Sequence, residues 1–272
     1  MADPLLPLIA EPADLNAALG KPGLVVLDLN VPDKYAEGHI PGAVSFPFPA
    51  LLGPQPPAMG LIAPAEQISR ALSSCGVTPD SHVIAYDSEG TGKACRLLWT
   101  LDVIGHTNFS LLNGGLPAWL ADGLPVEQTP NTPAVTEYPV TVGGNGIADK
   151  AHILEHLSDG SMVVLDCRSA AEYAGEDVRS ARGGHIPGAV NMDWVLAMDR
   201  ANAGRLKPDA ELTAMLHELG VTPDKEVIVH CQTHHRSSHT YMVLKHLGFD
   251  KIRGYDGSWS EWGNDPDVPV EL

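Results

Sequence analysis

Positive charge is scarce in this 272-residue chain: 17 Lys and Arg stand against 34 Asp and Glu, a formal net charge of −17. Such a surface repels phosphate backbones and anionic membranes, so neither nucleic acid nor membrane is an expected partner. An anionic substrate must then be drawn in by a local positive site. Cysteine is scarce too. Cys75, Cys95, Cys167 and Cys231 are the four present, with no CxxC among them. In a chain of this size they read as free thiols in a reducing compartment. The start, Met1-Ala-Asp-Pro-Leu-Leu-Pro7, lacks a basic stretch and has its apolar residues broken by proline, so no secretory signal is expected. No apolar run approaches the length of a membrane-crossing helix. The expected location is cytoplasmic. With 44% hydrophobic and 19% charged residues the chain is globular, and long enough for two ordinary domains.

Repetition is what the sequence has in plenty. Leu24-Val-Val-Leu-Asp28 is echoed by Met162-Val-Val-Leu-Asp166. His39-Ile-Pro-Gly-Ala-Val44 recurs unchanged at His185–Val190, and Gly76-Val-Thr-Pro-Asp80 at Gly220–Asp224. Leu112-Asn-Gly-Gly-Leu-Pro-Ala-Trp119 has its echo in Tyr255-Asp-Gly-Ser-Trp-Ser-Glu-Trp262. Blocks in the same order over most of both halves imply two homologous domains. Their expected bounds are 1–128 and 147–272, with the Pro-, Thr- and Gly-rich stretch 129–146 as connector.

Each half reads as an early helix, a buried strand (Leu24–Leu29; Met162–Cys167), a helix around Tyr35 or Tyr173, and the Gly-His-Ile-Pro-Gly-Ala turn into another strand. A helix (Ala65–Ser74; Asp209–Leu219) and a strand (His82–Tyr86; Glu226–His230) follow. Short continuous apolar strands alternating with helices predict an α/β class, each domain a mainly parallel sheet with helices on both faces. The proline-rich stretch Phe46–Pro57 reads as a surface excursion, one able to lie against the other domain.

In open sheets of this kind, ligands sit beyond the carboxyl ends of the strands. Cys231 falls there, directly after Glu226–His230. The polar loop Gln232-Thr-His-His-Arg236 follows, and a helical pattern runs from Thr240 to Leu247. A strand–Cys–loop–helix unit sets a thiol among backbone N–H groups that favour an anion, and the thiolate is the reactive form. Aligning the halves through Gly76 and Gly220 puts Asp87 opposite Cys231. Its loop, Ser88-Glu-Gly-Thr-Gly-Lys93, has neither the histidine pair nor the arginine. The first domain is therefore expected to be catalytically silent and to wall an interdomain cleft. His230, His234, His235 and His239 beside Cys231 raise a metal site, with His235 and His239 one helical turn apart. A metal on the cysteine would silence it as a nucleophile, and no metal or other cofactor is expected.

With Gly-His-Ile-Pro-Gly-Ala in each half, a cysteine loop only in the second, and Gly257-Ser-Trp-Ser-Glu-Trp-Gly263 near the end, the chain resembles the tandem-domain rhodaneses over nearly its whole length. These are the thiosulfate and 3-mercaptopyruvate sulfurtransferases. The loop is similar to that of a bacterial subgroup reading Cys-Gln-Thr-His-His-Arg. The resemblance implies that Cys231 takes up a sulfane sulfur as a persulfide and passes it to cyanide or another thiophile. The loop departs from two better-known family patterns, Cys-Arg-Lys-Gly-Val-Thr and Cys-Gly-Ser-Gly-Val-Thr, which leaves the choice between thiosulfate and 3-mercaptopyruvate open. An arginine that thiosulfate enzymes carry shortly after Asp-x-Arg is Glu172 here, so that contact is not carried over.

On this reading Cys231 is catalytic and Arg236 takes the donor's sulfonate through its planar fork. His234 and His235 add positive potential, and Gln232, Thr233 and Arg182 complete the substrate-binding set. Arg179 and Arg182 can equally be solvated loop, and Trp194 can wall the pocket or pack in the core. Asp28 with Asp166, and His39 with His185, occur in both halves and read as structural. Cys75 and Cys95 read as inert, whereas Cys167 is a candidate resolving thiol. Expected partners are a small-molecule sulfur donor (thiosulfate) and a thiophilic acceptor, with a protein acceptor as a further candidate; the expected state is a monomer. Two other functions compete. One is a persulfide carrier serving a protein. The other is a cysteine phosphatase of the related fold, whose Cys-x5-Arg loop is one residue longer than Cys231-x4-Arg236.

Overall fold

The computed structural model describes residues 4–143, 146–158 and 160–272. The first three residues of the first expected domain, residues 144 and 145 of the expected connector, and residue 159 lie outside the described residues. The chain forms two compact units, one of residues 1–51, 63–144 and 198–206, the other of 52–62, 145–197 and 207–272.

The first unit is built on strands β1 (Ile9–Ala10), β2 (Leu24–Asp28), β3 (Val44–Ser45), β4 (His82–Tyr86) and β5 (Phe109–Leu112). All pair in parallel, in the order β1-β5-β4-β2-β3. β4 is buried at every position, as a central parallel strand covered on both faces must be. The helices between strands are α1 (Pro12–Ala18), α2 (Pro32–Glu37), α3 (Ala65–Ser74), α4 (Gly92–Val103) and α5 (Gly115–Ala121). The second unit repeats the plan with β6 (Ile147–Ala148), β7 (Met162–Asp166) and β8 (Val190–Asn191). An antiparallel pair, β9 (Met198–Asp199) and β10 (Arg205–Leu206), comes next in the chain but belongs to the first unit. β11 (Glu226–His230) and β12 (Ile252–Tyr255) complete the second sheet, ordered β6-β12-β11-β7-β8. Its helices are α6 (Lys150–His156), α7 (Ala170–Tyr173), α8 (Asp209–Glu218), α9 (Arg236–His246) and α10 (Ser258–Trp262). Among the described residues no helix is long and apolar enough to cross a membrane.

The repeated motifs are struts. Tyr35 stacks on His39 with centroids 3.8 Å apart, and Tyr173 on His185 at 3.7 Å. Trp119 Nε1 donates to Pro125 O and Trp262 Nε1 to Pro269 O, each at 2.8 Å. The described part of the connector is tied to the first unit, with Asn131 Nδ2 donating to Ala43 O at 3.0 Å and Thr136 Oγ1 to Val77 O at 2.5 Å.

The proline-rich stretch Phe46–Pro57 is divided: residues 46–51 stay in the first unit, and residues 52–62 belong to the second, where Ile62 N–H donates to Asp256 Oδ2 at 2.7 Å and Met59 N–H to Ser260 Oγ at 3.1 Å. In the first unit, Leu206 N–H donates to Asn113 Oδ1 at 2.8 Å, and Arg205 pairs with Asp122 at 2.7 Å. Asn113 and Asp256 occupy equivalent places in the repeat, as do Ile62 and Leu206. Each half therefore lends a short segment to the unit built mainly from the other.

Candidate active site

β7 and β11 run parallel with Asp166 opposite His230, and the chain leaves β11 at Cys231, which is 1% exposed. The loop turns back through His234 at φ 58°, a left-handed conformation that L-residues adopt only under constraint. The constraint is visible: His234 Nδ1 meets Ser237 Oγ at 2.7 Å, and Ser238 Oγ donates to His234 O at 2.5 Å. From the last sequence block, Trp259 N–H donates to Cys231 O at 2.9 Å and Ser260 N–H to Gln232 O at 3.0 Å. Ser258, at φ 51°, accepts from Cys231 N–H at 3.4 Å and donates to Tyr255 O at 2.7 Å. Gly60, three residues past the proline-rich stretch, packs against the loop. A Cβ there would sit 2.4 Å from Thr233 O and 2.6 Å from Asp256 O.

Burial raises the Cys231 thiol pKa, but the Arg236 charge, the Ser237 hydroxyl and the Ser237 and Thr233 N–H groups overcome it, and the net shift is downward. Arg236 opens α9 and is gripped by Glu172, Nη1 to Oε2 at 2.6 Å and Nη2 to Oε1 at 2.8 Å. Glu172 also closes a capping box with Ser169 at the start of α7, which fixes its carboxylate. Burial works to raise the Glu172 pKa, yet Arg236 pulls it down to about 2. Beneath the site, Asp166 is held by Arg168 at 2.5 Å, and the Arg168 guanidinium lies 4.4 Å over the Trp259 ring. Burial lowers the His230 pKa and drives that of His239 to about 4, so both are neutral at physiological pH. Trp194 meets His239 edge-on at 5.4 Å. Among the described residues no three His, Cys, Asp or Glu side chains are grouped to hold a metal ion.

The loop residues expected from sequence gather around Cys231, with two departures. The Arg236 fork, expected on a sulfonate, is taken by Glu172, and the guanidinium also meets the Cys231 sulfur by charge and a hydrogen bond. Arg182 turns its guanidinium to the backbone carbonyls of Val268 at 2.9 Å, Trp262 at 3.1 Å and Asp265, closing the end of α10. Gln232 Nε2 binds Arg179 O at 3.3 Å and Ser180 Oγ at 3.2 Å. His235 stands at the N-cap of α9, which starts at Arg236 and not at Thr240. The polar first turn, Ser237-Ser-His239, hid that start from the apolar pattern. Sequence reasoning missed Ser237, Ser258 and Gly60. The signal for Ser258 was its match to Gly115, also left-handed at φ 60°.

The first-half counterpart of the loop is differently filled. Asp87 Oδ1 accepts from the N–H groups of Glu89 and Thr91, each at 2.8 Å, and Oδ2 from those of Lys93 and Ala94, each at 3.0 Å. Gly92 stands where Arg236 stands in the second half.

The rhodanese-like domain family matches residues 11–122 and 149–265. A thiosulfate sulfurtransferase of Azotobacter vinelandii is 47% identical over 98% of this chain and 98% of its own. A 3-mercaptopyruvate sulfurtransferase of Escherichia coli K12 is 32% identical over 94% of this chain and 91% of its own. A crystal structure of such an enzyme from Escherichia coli superposes with a TM-score of 0.83 at 29% identity, covering 93% of this chain and 98% of that one.

Proposed function

The chain belongs to the rhodanese-like family, and we propose that it is a thiosulfate sulfurtransferase working through a persulfide on Cys231. The observation that carries this reading is a buried thiol held below its ordinary pKa by Arg236, Ser237 and Thr233. The Cys231 thiolate attacks the outer sulfur of thiosulfate, the sulfur–sulfur bond of the donor breaks, and sulfite leaves with the electron pair. The loop N–H groups then cradle the terminal sulfur. Cyanide or another thiophile attacks it, the Cys231 thiolate returns, and thiocyanate departs. Arg236 stabilises the thiolate and the persulfide by charge, held in place by Glu172. Thr233 and Gln232 keep the loop open toward the sulfur, while His234 fixes its turn and His235 stands at its mouth. We place the protein as a cytoplasmic monomer that can also serve a protein acceptor, a setting supported by four cysteines without a disulfide among them.

Incubation with thiosulfate is expected to raise the intact mass by one sulfur, about 32 Da, removed by cyanide as thiocyanate and never acquired by Cys231→Ala. A parallel incubation with 3-mercaptopyruvate ranks the two donors. If neither loads Cys231, the reading fails.

A further inference from the structure

Cys167 is a second buried thiol of the same unit, with no part in the sulfur transfer described above. Its N–H donates to His230 O at 2.8 Å, which carries the β7–β11 ladder one residue past the Asp166–His230 pair. In a parallel ladder, a residue donating to one carbonyl stands opposite the residue after it. Cys167 therefore stands opposite Cys231 at the end of the ladder, close enough to feel its charge, with its own Sγ donating to Leu165 O at 3.6 Å. Neighbouring strands lie about 4.8 Å apart, inside the Cα span of about 4.4–6.8 Å that a disulfide bridges. Leu29 fills the equivalent place in the first half, donating to Tyr86 O at 2.9 Å. The fold accepts a plain apolar side chain there and has no need of a sulfur.

We propose that Cys167 is the resolving thiol of Cys231, closing an intramolecular disulfide when a hydroperoxide oxidises the nucleophile. In the first step the Cys231 thiolate attacks the peroxide, the O–O bond breaks, and a sulfenic acid forms with loss of hydroxide. In the second, Cys167 attacks the sulfenic sulfur, the S–S bond forms, the S–O bond breaks, and the Cys167 proton leaves with the oxygen as water. The two thiols give up two electrons, and the peroxide takes them. At rest Cys167 stays quiet, because burial first and the neighbouring Cys231 charge next keep it protonated. Oxidation of Cys231 to a neutral sulfenic acid removes that repulsion. The disulfide then shields the nucleophile from irreversible oxidation.

The test uses one equivalent of hydrogen peroxide and no sulfur donor, so its outcome is independent of the sulfurtransferase reading. Free thiols are then alkylated in denaturant, and intact mass and peptide maps are recorded. Wild type is expected to lose two thiols and about 2 Da, to yield a linked Cys167–Cys231 peptide, and to recover both thiols with dithiothreitol. Cys167→Leu and Cys167→Ser are expected to gain about 16 and then 32 Da on Cys231, roughly tenfold faster than wild type gains them. Overoxidation of wild type at the variants' rate, or linkage to Cys75, Cys95 or a second chain, overturns the proposal. If neither variant folds, the wild-type peptide map decides alone.

Discussion

The loops after β4 and β11 occupy one place in the repeat and hold different contents, and their backbones part where Thr91 at φ 65° matches His235 at φ −92°. In the first, Asp87 fills the ring of N–H groups with its own carboxylate, through four hydrogen bonds of 2.8–3.0 Å. In the second, Cys231 draws on the N–H groups of Thr233 and Ser237, which match Glu89 and Lys93. A nest that attracts an anion is thus a property of the fold, present in both halves. What makes the second half reactive is the anion chosen and the cation beside it. Asp87 is a permanent occupant and closes the site. Cys231 supplies a sulfur that can form a bond, and Arg236, where the first half has Gly92, favours its ionised form.

Removal of the cation should have the largest effect on that contrast. Arg236→Leu is expected to slow sulfur loading at neutral pH by about 10–100-fold, with the acid limb of the rate moving up to about pH 8.5 or above, where an unassisted cysteine ionises. Single-turnover loading across a pH series measures both. An unmoved limb would mean that the N–H nest alone sets the pKa. Glu172→Gln comes next. It removes the carboxylate partner of a largely buried guanidinium, leaving the Cys231 sulfur as its charge partner, a defect expected to cost about 1–3 kcal/mol, read by urea unfolding. Its pH signature is also signed. The Glu172 pKa is about 2 in the folded protein against an ordinary 4.5, so its contribution is present above about 4.5 and lost as pH falls toward 2. Wild type should lose stability over that interval, and the variant should lose less. Gly60→Val pushes atoms into Thr233 O and Asp256 O, and should lower loading roughly tenfold with about 1–3 kcal/mol of destabilisation. The smallest expected effect is from Asp87→Cys, which places a thiol in the first nest with no counterpart of Arg236, nearby Lys93 being paired with Glu89 at 2.8 Å. It should gain no sulfur from thiosulfate by intact mass. A second sulfur on this variant would show that the nest suffices.

Much of the contrast was legible in the sequence, because the duplicated blocks aligned the two loops and left Asp87 opposite Cys231. The strands were legible too, as unbroken apolar runs bounded by repeats. The grip of Glu172 on Arg236 was not. Sequence separation hides which charged side chains meet, and Glu172 showed only as a departure from a family pattern. Gly60 escaped for a related reason: nothing local marks a glycine whose missing Cβ makes room for a carbonyl of a distant loop. The lent segments left a proline-rich trace in the first half, but no periodicity says which unit a loop will join.

Those lent segments also bear on how the chain assembles during synthesis. The first unit contains residues 198–206 as well as 63–144, so its last piece is translated long after the connector has been made. At about 5–20 residues per second, ribosomes would need several seconds to deliver it. Through that interval Asn113 and Asp122 await Leu206 and Arg205, and the first unit is incomplete until residues 198–206 are made. The second unit has the reverse timing: its lent piece, residues 52–62, is made before any of its strands.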